Sequence, residues 1–427
     1  MEQLLSLRGF FTLSLAGLGA ALTFKKAKYG IIIFIILLLL RAPFLASWFP
    51  PIYSVLHLPK VFGILTLISW LLQKNKYPLR LPIQFWLMVS FLGVICLSRF
   101  LAHSEVFGNK VTSEFFKMCV LFLLIVNVVK DEKDVKQIIW TLLGITFVVT
   151  LYHYHYYKTS WRSIFVLPVY RGLDRNEFAA TLVAMIPLAY IFFKKEGHIL
   201  KRVFSGLCFL SFVGGVILTR SRAGALALGV TLFVSILQDT KRVKSAFFIL
   251  ILGLIIGSRI SERYIDRIKS IVHYREDTSA MIRIATNRAA INMVKTYPIF
   301  GIGAGNFGNL VLNYTPESLK QYVETGINIH NIFLQVASET GLIGLLVFIT
   351  LIMKSFIDVI RLRKYKLEPI GYMATGLGIS LFGYCLAGQF IPGAYYKYQY
   401  IFFPLITAIS QIAHEKLAKY MDAHLYH

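Results

Sequence analysis

The chain has 427 residues, 56% of them hydrophobic, with a mean hydropathy of +0.64 and a formal net charge of +24. That apolar content excludes an ordinary soluble domain. In such a chain the positive charge reads as loop charge beside a membrane rather than a nucleic-acid footprint, so no nucleic-acid partner is expected. The four cysteines, Cys96, Cys119, Cys208 and Cys385, all fall inside apolar runs, which argues against a disulfide framework or a thiolate metal site.

Long apolar runs recur along the chain, among them GIIIFIILLLL (Gly30–Leu40) and FFILILGLIIG (Phe247–Gly257). A spanning helix needs roughly 20 mostly apolar residues, and its backbone polar groups must pair within the segment. The expectation is an all-α polytopic membrane protein. Spans are predicted near 9–24, 29–47, 55–72, 81–98, 113–129, 137–156, 177–193, 203–219, 223–237, 244–258, 331–353, 368–390 and 395–412. That is about 12 or 13 helices, the first short enough to lie in the interface. The first run ends in Lys25-Lys26 without a small-residue cleavage site, so no cleavable signal peptide is expected.

Short lysine-rich segments recur at every second connection: KKAK (25–28), KNKYPLR (74–80), KDEKDVK (130–136), KKEGHILKR (194–202), TKRVK (240–244) and KSFIDVIRLRKYK (354–366). The positive-inside rule assigns them, with the C-terminal HEKLAKY, to the cytoplasm. The alternate connections, 48–54, 99–112, 157–176, 219–222, 259–330 and 391–394, then face outward. Arginine breaks the trend there. Arg220 and Arg222 share one tight turn, loop 157–176 carries Arg162, Arg171 and Arg175, and loop 259–330 carries Arg259, Arg263, Arg267, Arg275, Arg283 and Arg288. Guanidinium groups fork onto phosphate oxygens better than ammonium groups do. The pattern points to an outward-facing site for a phosphate-bearing ligand; the competing reading is arginines snorkelling to headgroups.

The outer loop has about 70 residues, too long for an idle connection. It divides the chain into 1–258, 259–330 and 331–427. SERYIDRIKSIV (261–272) and SAMIRIATNRAAINMVKTYP (279–298) read as helices, the second with Met281, Ile284, Ala285 and Ala289 on one face and Arg283 and Asn287 on another. GAGNFG (303–308) matches G-x-G-x-x-G, but no strand precedes it, so the reading is a tight turn with Gly301, Gly303 and Gly305 free to take positive φ. His330 stands at or just before the next span. The helix N-terminus and nearby arginines disfavour imidazolium, which predicts a neutral base; the alternative is a histidine capping a helix start. His153 and His155 in LYHYHYYK are explained by an aromatic interface belt. No D-x-D-like run or His/Cys cluster suggests a metal site, although Glu276-Asp277 keeps one open, and no cofactor is expected.

LTRSRAGAL in the tight turn, SAMIRIATNRAAINMVKTYPIFGIGAGNF in the loop and HNIFLQVASETGLIGLLVF at the following span together resemble the O-antigen ligase and O-antigen polymerase superfamily of bacterial envelope glycosyltransferases. LDRNEFAATLVAMIPLAY (Leu173–Tyr190) is similar to a further family segment, so the likeness covers roughly residues 170–350. One departure is Asn287, where the family has an aromatic residue four positions after the loop arginine; this leaves Arg283 or Arg288 as the functional one, and Arg283 is preferred.

The resemblance implies a GT-C-like fold of about 12 transmembrane helices with one large periplasmic helical loop, in the bacterial inner membrane. It implies transfer of a glycan from an undecaprenyl-diphosphate carrier to an acceptor hydroxyl, the lipid A core for a ligase. A lipid-linked glycan acceptor would make it a polymerase, and a protein acceptor an oligosaccharyltransferase. On this reading the reaction is inverting and metal-independent. His330 is the general base, Arg222 and Arg283 act in catalysis, and Arg220, Arg288, Arg175, Asn176 and Asn331 bind substrate. The alternatives from other classes are a small-anion transporter with an arginine capture funnel and a polysaccharide-binding scaffold.

Overall fold

The computed structural model describes residues 7–40, 57–73, 78–102, 108–159, 175–239, 241–247, 278–365 and 367–425. The helices are α1 (Leu7–Lys25), α2 (Ala27–Leu39), α3 (Leu58–Leu72), α4 (Ile83–Phe100), α5 (Gly108–Val128), α6 (Glu132–Thr159), α7 (Arg175–Lys195), α8 (Ile199–Leu218) and α9 (Arg222–Leu237). Then come α10 (Thr278–Thr296), α11 (Phe307–Tyr314), α12 (Ile332–Lys364), α13 (Ile370–Ala387) and α14 (Lys397–Leu425). There is no strand among the described residues. Seven described helices are long and apolar enough to cross a membrane, namely α4, α5, α6, α7, α8, α12 and α13. Leu13–Lys25 within α1 and the helices α2, α3 and α9 are shorter apolar ones. The chain is an all-α multi-pass membrane protein. Most of the expected span 244–258, the expected helix 261–272, the other outer arginines of 157–174 and 259–275, and Glu276-Asp277 lie outside the described residues.

Several segments read as basic loops are helical. KSFIDVIRLRKYK continues α12 as far as Lys364, because Ser355, Asp358, Val359 and Leu362 face the core while its cations face out. Lys354 and Asp358 pair there at 2.5 Å, one turn apart. KDEKDVK is mostly the first turn of α6; the Asp131 carboxylate accepts from the Asp134 amide at 2.8 Å, and Glu132 and Asp134 complement the helix dipole.

The helix α7 is the centre of the bundle. Every residue from Asn176 to Tyr190 is buried, as expected of a helix that is apolar all round. It packs against α6, α8, α9 and α13. The bundle has a lysine end, stitched by ion pairs between segments distant in sequence: Lys28–Asp134 (2.8 Å), Lys136–Glu196 (2.8 Å), Lys416–Glu132 (2.6 Å), Arg80–Glu415 and Lys194–Asp239. Segments 25–28, 78–80, 130–136 and 194–202 and the basic end of α14 therefore share one end, as their charge pattern requires. Exposed pairs contribute only about 0–1 kcal/mol each, so what they record is geometry more than stability.

Asp239 is the strongest of these anchors, receiving Lys194, Ser245 and, at 2.8 Å, the Tyr190 hydroxyl. Burial alone would raise its carboxyl. The hydrogen bonds from Lys194, Ser245, the Lys241 amide and Tyr190 outweigh that and hold it well below the usual carboxylate range. A depressed folded value stabilises above the unfolded value of about 3.9 and loses that stabilisation as pH falls toward the folded value. Asp239→Asn should therefore cost about 1–3 kcal/mol at neutral pH. The gap in thermal unfolding between variant and parent, measured in detergent, should narrow as the medium is taken below about pH 4.

Candidate active site

The turn between α8 and α9 is built by its hydroxyl groups. Thr219 Oγ1 donates to the Val216 carbonyl at 2.6 Å and accepts from the Ser221 amide at 3.2 Å. Ser221 caps α9, accepting from the Gly224 amide at 3.0 Å, and donates to Asn176 Oδ1 at 2.6 Å. A Cβ on Gly224 would come within 2.6 Å of the Ala179 methyl, so glycine lets α9 start directly against α7. Arg220 sits in this turn, exposed, at φ 51°, a left-handed conformation that costs a non-glycine residue about 1–2 kcal/mol. Arg222 opens α9 and Arg175 opens α7, both half-buried. The structure thus gathers Arg175, Asn176, Arg220 and Arg222 at one corner. The Asn176 carboxamide holds the turn there.

A small apolar pocket of about 10 Å³, room for about one water-sized sphere, lies behind the turn, walled by His153, Phe178, Gly215, Leu218 and Thr219. His153 is buried, stacked on Phe178 at 3.9 Å with its Nδ1 2.7 Å from the Val149 carbonyl. It is an internal packing residue, not a member of an interface belt; the side chain of His155 lies outside the described residues.

A second corner forms where α12 begins. Asn331 caps that helix, its Oδ1 accepting from the Phe333 amide at 3.0 Å and the Leu334 amide at 3.1 Å. Its Nδ2 donates to Gln389 Oε1 at 3.0 Å. The next residue, Phe390, lies under the Arg283 guanidinium, 6.0 Å from Cζ to the ring centroid, within cation–π range. His330, half-buried with Nδ1 buried, immediately precedes Asn331. One contiguous chain of contacts therefore runs from His330 through Asn331, Gln389 and Phe390 to Arg283. Arg288, on the same helix α10, is exposed.

The two corners share one end of the bundle. The helix α13 runs antiparallel to α7, Gly376 facing Leu188 and Gly383 facing Val183, while Gly383 also faces Thr231 of α9. At about 1.5 Å per residue, Arg175, Arg222 and Phe390 lie roughly 10–14 Å beyond that level, all in the same direction.

The glycine turn completes the scene. Gly301, Gly303 and Gly305 take φ of 69°, 95° and 85°. The turn docks at the C-terminal end of α4, where the Ala304 amide meets Ser98 Oγ at 3.4 Å. GAGNFG follows a helix and wraps an internal carboxylate, that of Glu339, through the Gly305 and Phe307 amides. The loop has its own apolar cluster, including Ala285, Ala289, Met293, Phe307, Val311 and Ile329. Of the predicted α10 face, Ala285 and Ala289 are buried, and Met281 and Ile284 half-buried.

Residues 206–349 match the family model described as O-antigen ligase. Over that segment the chain is similar to the O-antigen ligase superfamily. It contains Arg220, Arg222, Arg283, Arg288, His330 and Asn331, whereas Arg175, Asn176, Gln389 and Phe390 lie outside it. No curated protein matches the chain.

Gln389 and Phe390 escaped sequence reasoning, being an unremarked apolar-span end before Pro392-Gly393. Only the tertiary approach of α10 gives Phe390 a cation. The turn offers a direct check on Arg220. Arg220→Gly relieves the left-handed strain, so the variant should unfold no earlier than the parent and gain up to about 1 kcal/mol. If its guanidinium serves a phosphate-bearing ligand, calorimetric binding of inorganic pyrophosphate should weaken in the same variant.

Proposed function

We propose that the protein is a glycosyltransferase that moves a glycan from an undecaprenyl-diphosphate carrier to an acceptor hydroxyl at the periplasmic face of the bacterial inner membrane, as an O-antigen ligase acting on lipid A core. The observation that supports this reading is the contact chain from His330 to Arg283, at the same end of the bundle as Arg220 and Arg222. The arginines hold the donor diphosphate. Its charge grows as the sugar C1–O bond breaks, so guanidinium groups aimed there stabilise the transition state more than the ground state. Nδ1 of His330 is buried, which leaves Nε2 to take the acceptor proton. The freed oxygen attacks C1 from the face opposite the diphosphate, and the configuration inverts. The electron pair of the broken bond leaves with the diphosphate.

Asn331 contributes by position. Its cap and its bond to Gln389 fix the start of α12, and with it the neighbouring histidine. Arg283 is the functional loop arginine because it reaches the contact chain, and exposed Arg288 is a secondary contact. A lipid-linked glycan as acceptor would make the same chemistry a polymerase.

The test is a reconstituted reaction with a polyprenyl-diphosphate glycan and a panel of acceptors, read by mass spectrometry. Arg283→Ala should lose about 100-fold in turnover, Arg288→Ala no more than about threefold, and folded His330→Ala nearly all activity. Excess chelator should leave the parent rate unchanged; abolition with rescue by Mg²⁺ would defeat the metal-free scheme. Product on no acceptor, or near-parental turnover in His330→Ala, would defeat the assignment itself.

A further inference from the structure

The helix α12 is broken. Gly341 takes φ 71° and ψ −175° in the middle of it, releasing backbone carbonyls that a continuous helix would use. The glycine turn supplies their partners: the Ile302 amide donates to the Ser338 carbonyl at 2.9 Å and the Gly303 amide to the Glu339 carbonyl at 3.0 Å. In return the Leu342 amide donates to the Pro298 carbonyl at 2.8 Å. The approach is as close as backbones allow, since a Cβ on Gly341 would lie 2.1 Å from the Ile299 oxygen and one on Gly301 2.5 Å from the Glu339 carbonyl carbon.

Glu339 stands at this break, 2% exposed. Its carboxylate faces the Gly305 and Phe307 amides, Gln335 and the Tyr395 hydroxyl. The side opposite the amides is loosely held, for neither Oε2 nor the Tyr395 hydroxyl has a partner at hydrogen-bond geometry. Tyr395 is in turn stacked on Phe91, and Gln335 Oε1 accepts from the Ala394 amide at 3.1 Å. The surroundings of this one side chain thus come from the glycine turn, α12 and the segment before α14, which itself packs on α4.

Two arms of the candidate site leave this junction. Upstream of the break, just before the Asn331 cap of α12, is His330. Upstream of the turn is α10, which carries Arg283. Arg283 is therefore held relative to His330 at Phe390 and at the junction, and the junction is clamped by the buried carboxylate.

We propose that Glu339 is a positioning residue for glycosyl transfer, a buried carboxyl group around which the glycine turn is wound so that Arg283 and His330 meet the same substrate. This rests on the glycosyltransferase reading above, and it assigns Glu339 no contact with substrate.

The test uses the full-length protein in detergent with Glu339→Ala and Glu339→Gln. Two readouts are taken: the rate of His330 modification by diethyl pyrocarbonate, resolved by mass spectrometry, and kcat and KM for the lipid-diphosphate donor. In folded Glu339→Ala the His330 rate should change several-fold. Turnover should fall at least about tenfold with donor KM nearly unchanged, because the Arg220–Arg222 corner is untouched. Glu339→Gln keeps the acceptor oxygen for the amides, so it should restore both readouts toward the parent. Should Glu339→Ala yield no folded protein, Glu339→Asp, which retracts the carboxylate by one methylene, takes its place with the same expectation. An unchanged His330 rate in the folded variant overturns the proposal whatever the activity, and so does Glu339→Gln failing as badly as the alanine. Absence of transfer by the parent would sink the functional reading alone, since the modification arm still decides on Glu339.

Discussion

Backbone groups released inside an apolar helix must find partners within the protein, because lipid offers none. The break at Gly341 meets this constraint by drawing the segment after α10 onto the helix, and the exchange of bonds between Pro298–Gly303 and Ser338–Leu342 is the result. The rest of the arginine end depends on that exchange. It fixes where α10 leaves the loop, and so where Arg283 arrives. It also makes the loop part of the bundle: the loop's apolar cluster packs on the partly buried Leu334 of α12 itself.

The two ends of the molecule use charge differently. At the lysine end, cations from distant segments meet carboxylates such as Asp134, Glu196 and Asp239, and each pair closes a gap between helices. At the other end, Arg283 lies against an aromatic face and Arg220 is exposed in its turn. A lysine ammonium is a strongly hydrated point charge suited to single ion pairs. A guanidinium is planar, more weakly hydrated and forked, so it can stack on Phe390 while keeping donors for a ligand.

Much of this was legible in the residues. Apolar runs located the helices, the lysine-rich segments proved to share an end, and Ser221 with Gly224 marked a tight turn. The positive φ of Gly301, Gly303 and Gly305 followed from their spacing alone. Less legible were helix limits where charge and helix coexist: Lys354–Lys364 reads as a loop by charge, yet its apolar residues recur at helical spacing. The break at Gly341 was invisible, because a glycine in an apolar run is common in membrane helices and only the approach of Ile299 shows why none but glycine fits. Phe390 and Gln389 were missed for the same reason: their roles exist only through residues far away in the chain.

Arg220 shows how such sites are maintained against local preference. Glycine or asparagine would occupy its left-handed position at lower cost, and the hydroxyls of Thr219 and Ser221, with the Gly224 contact, already define the turn without it. What it adds is a guanidinium one residue from Ser221, whose hydroxyl ties the turn to α7, and two from Arg222. Such strain persists only where the surrounding scaffold over-determines the backbone, as the Thr219 and Ser221 bonds do here. The same logic extends to Glu339, a carboxylate kept in an apolar helix where an apolar residue would cost less desolvation.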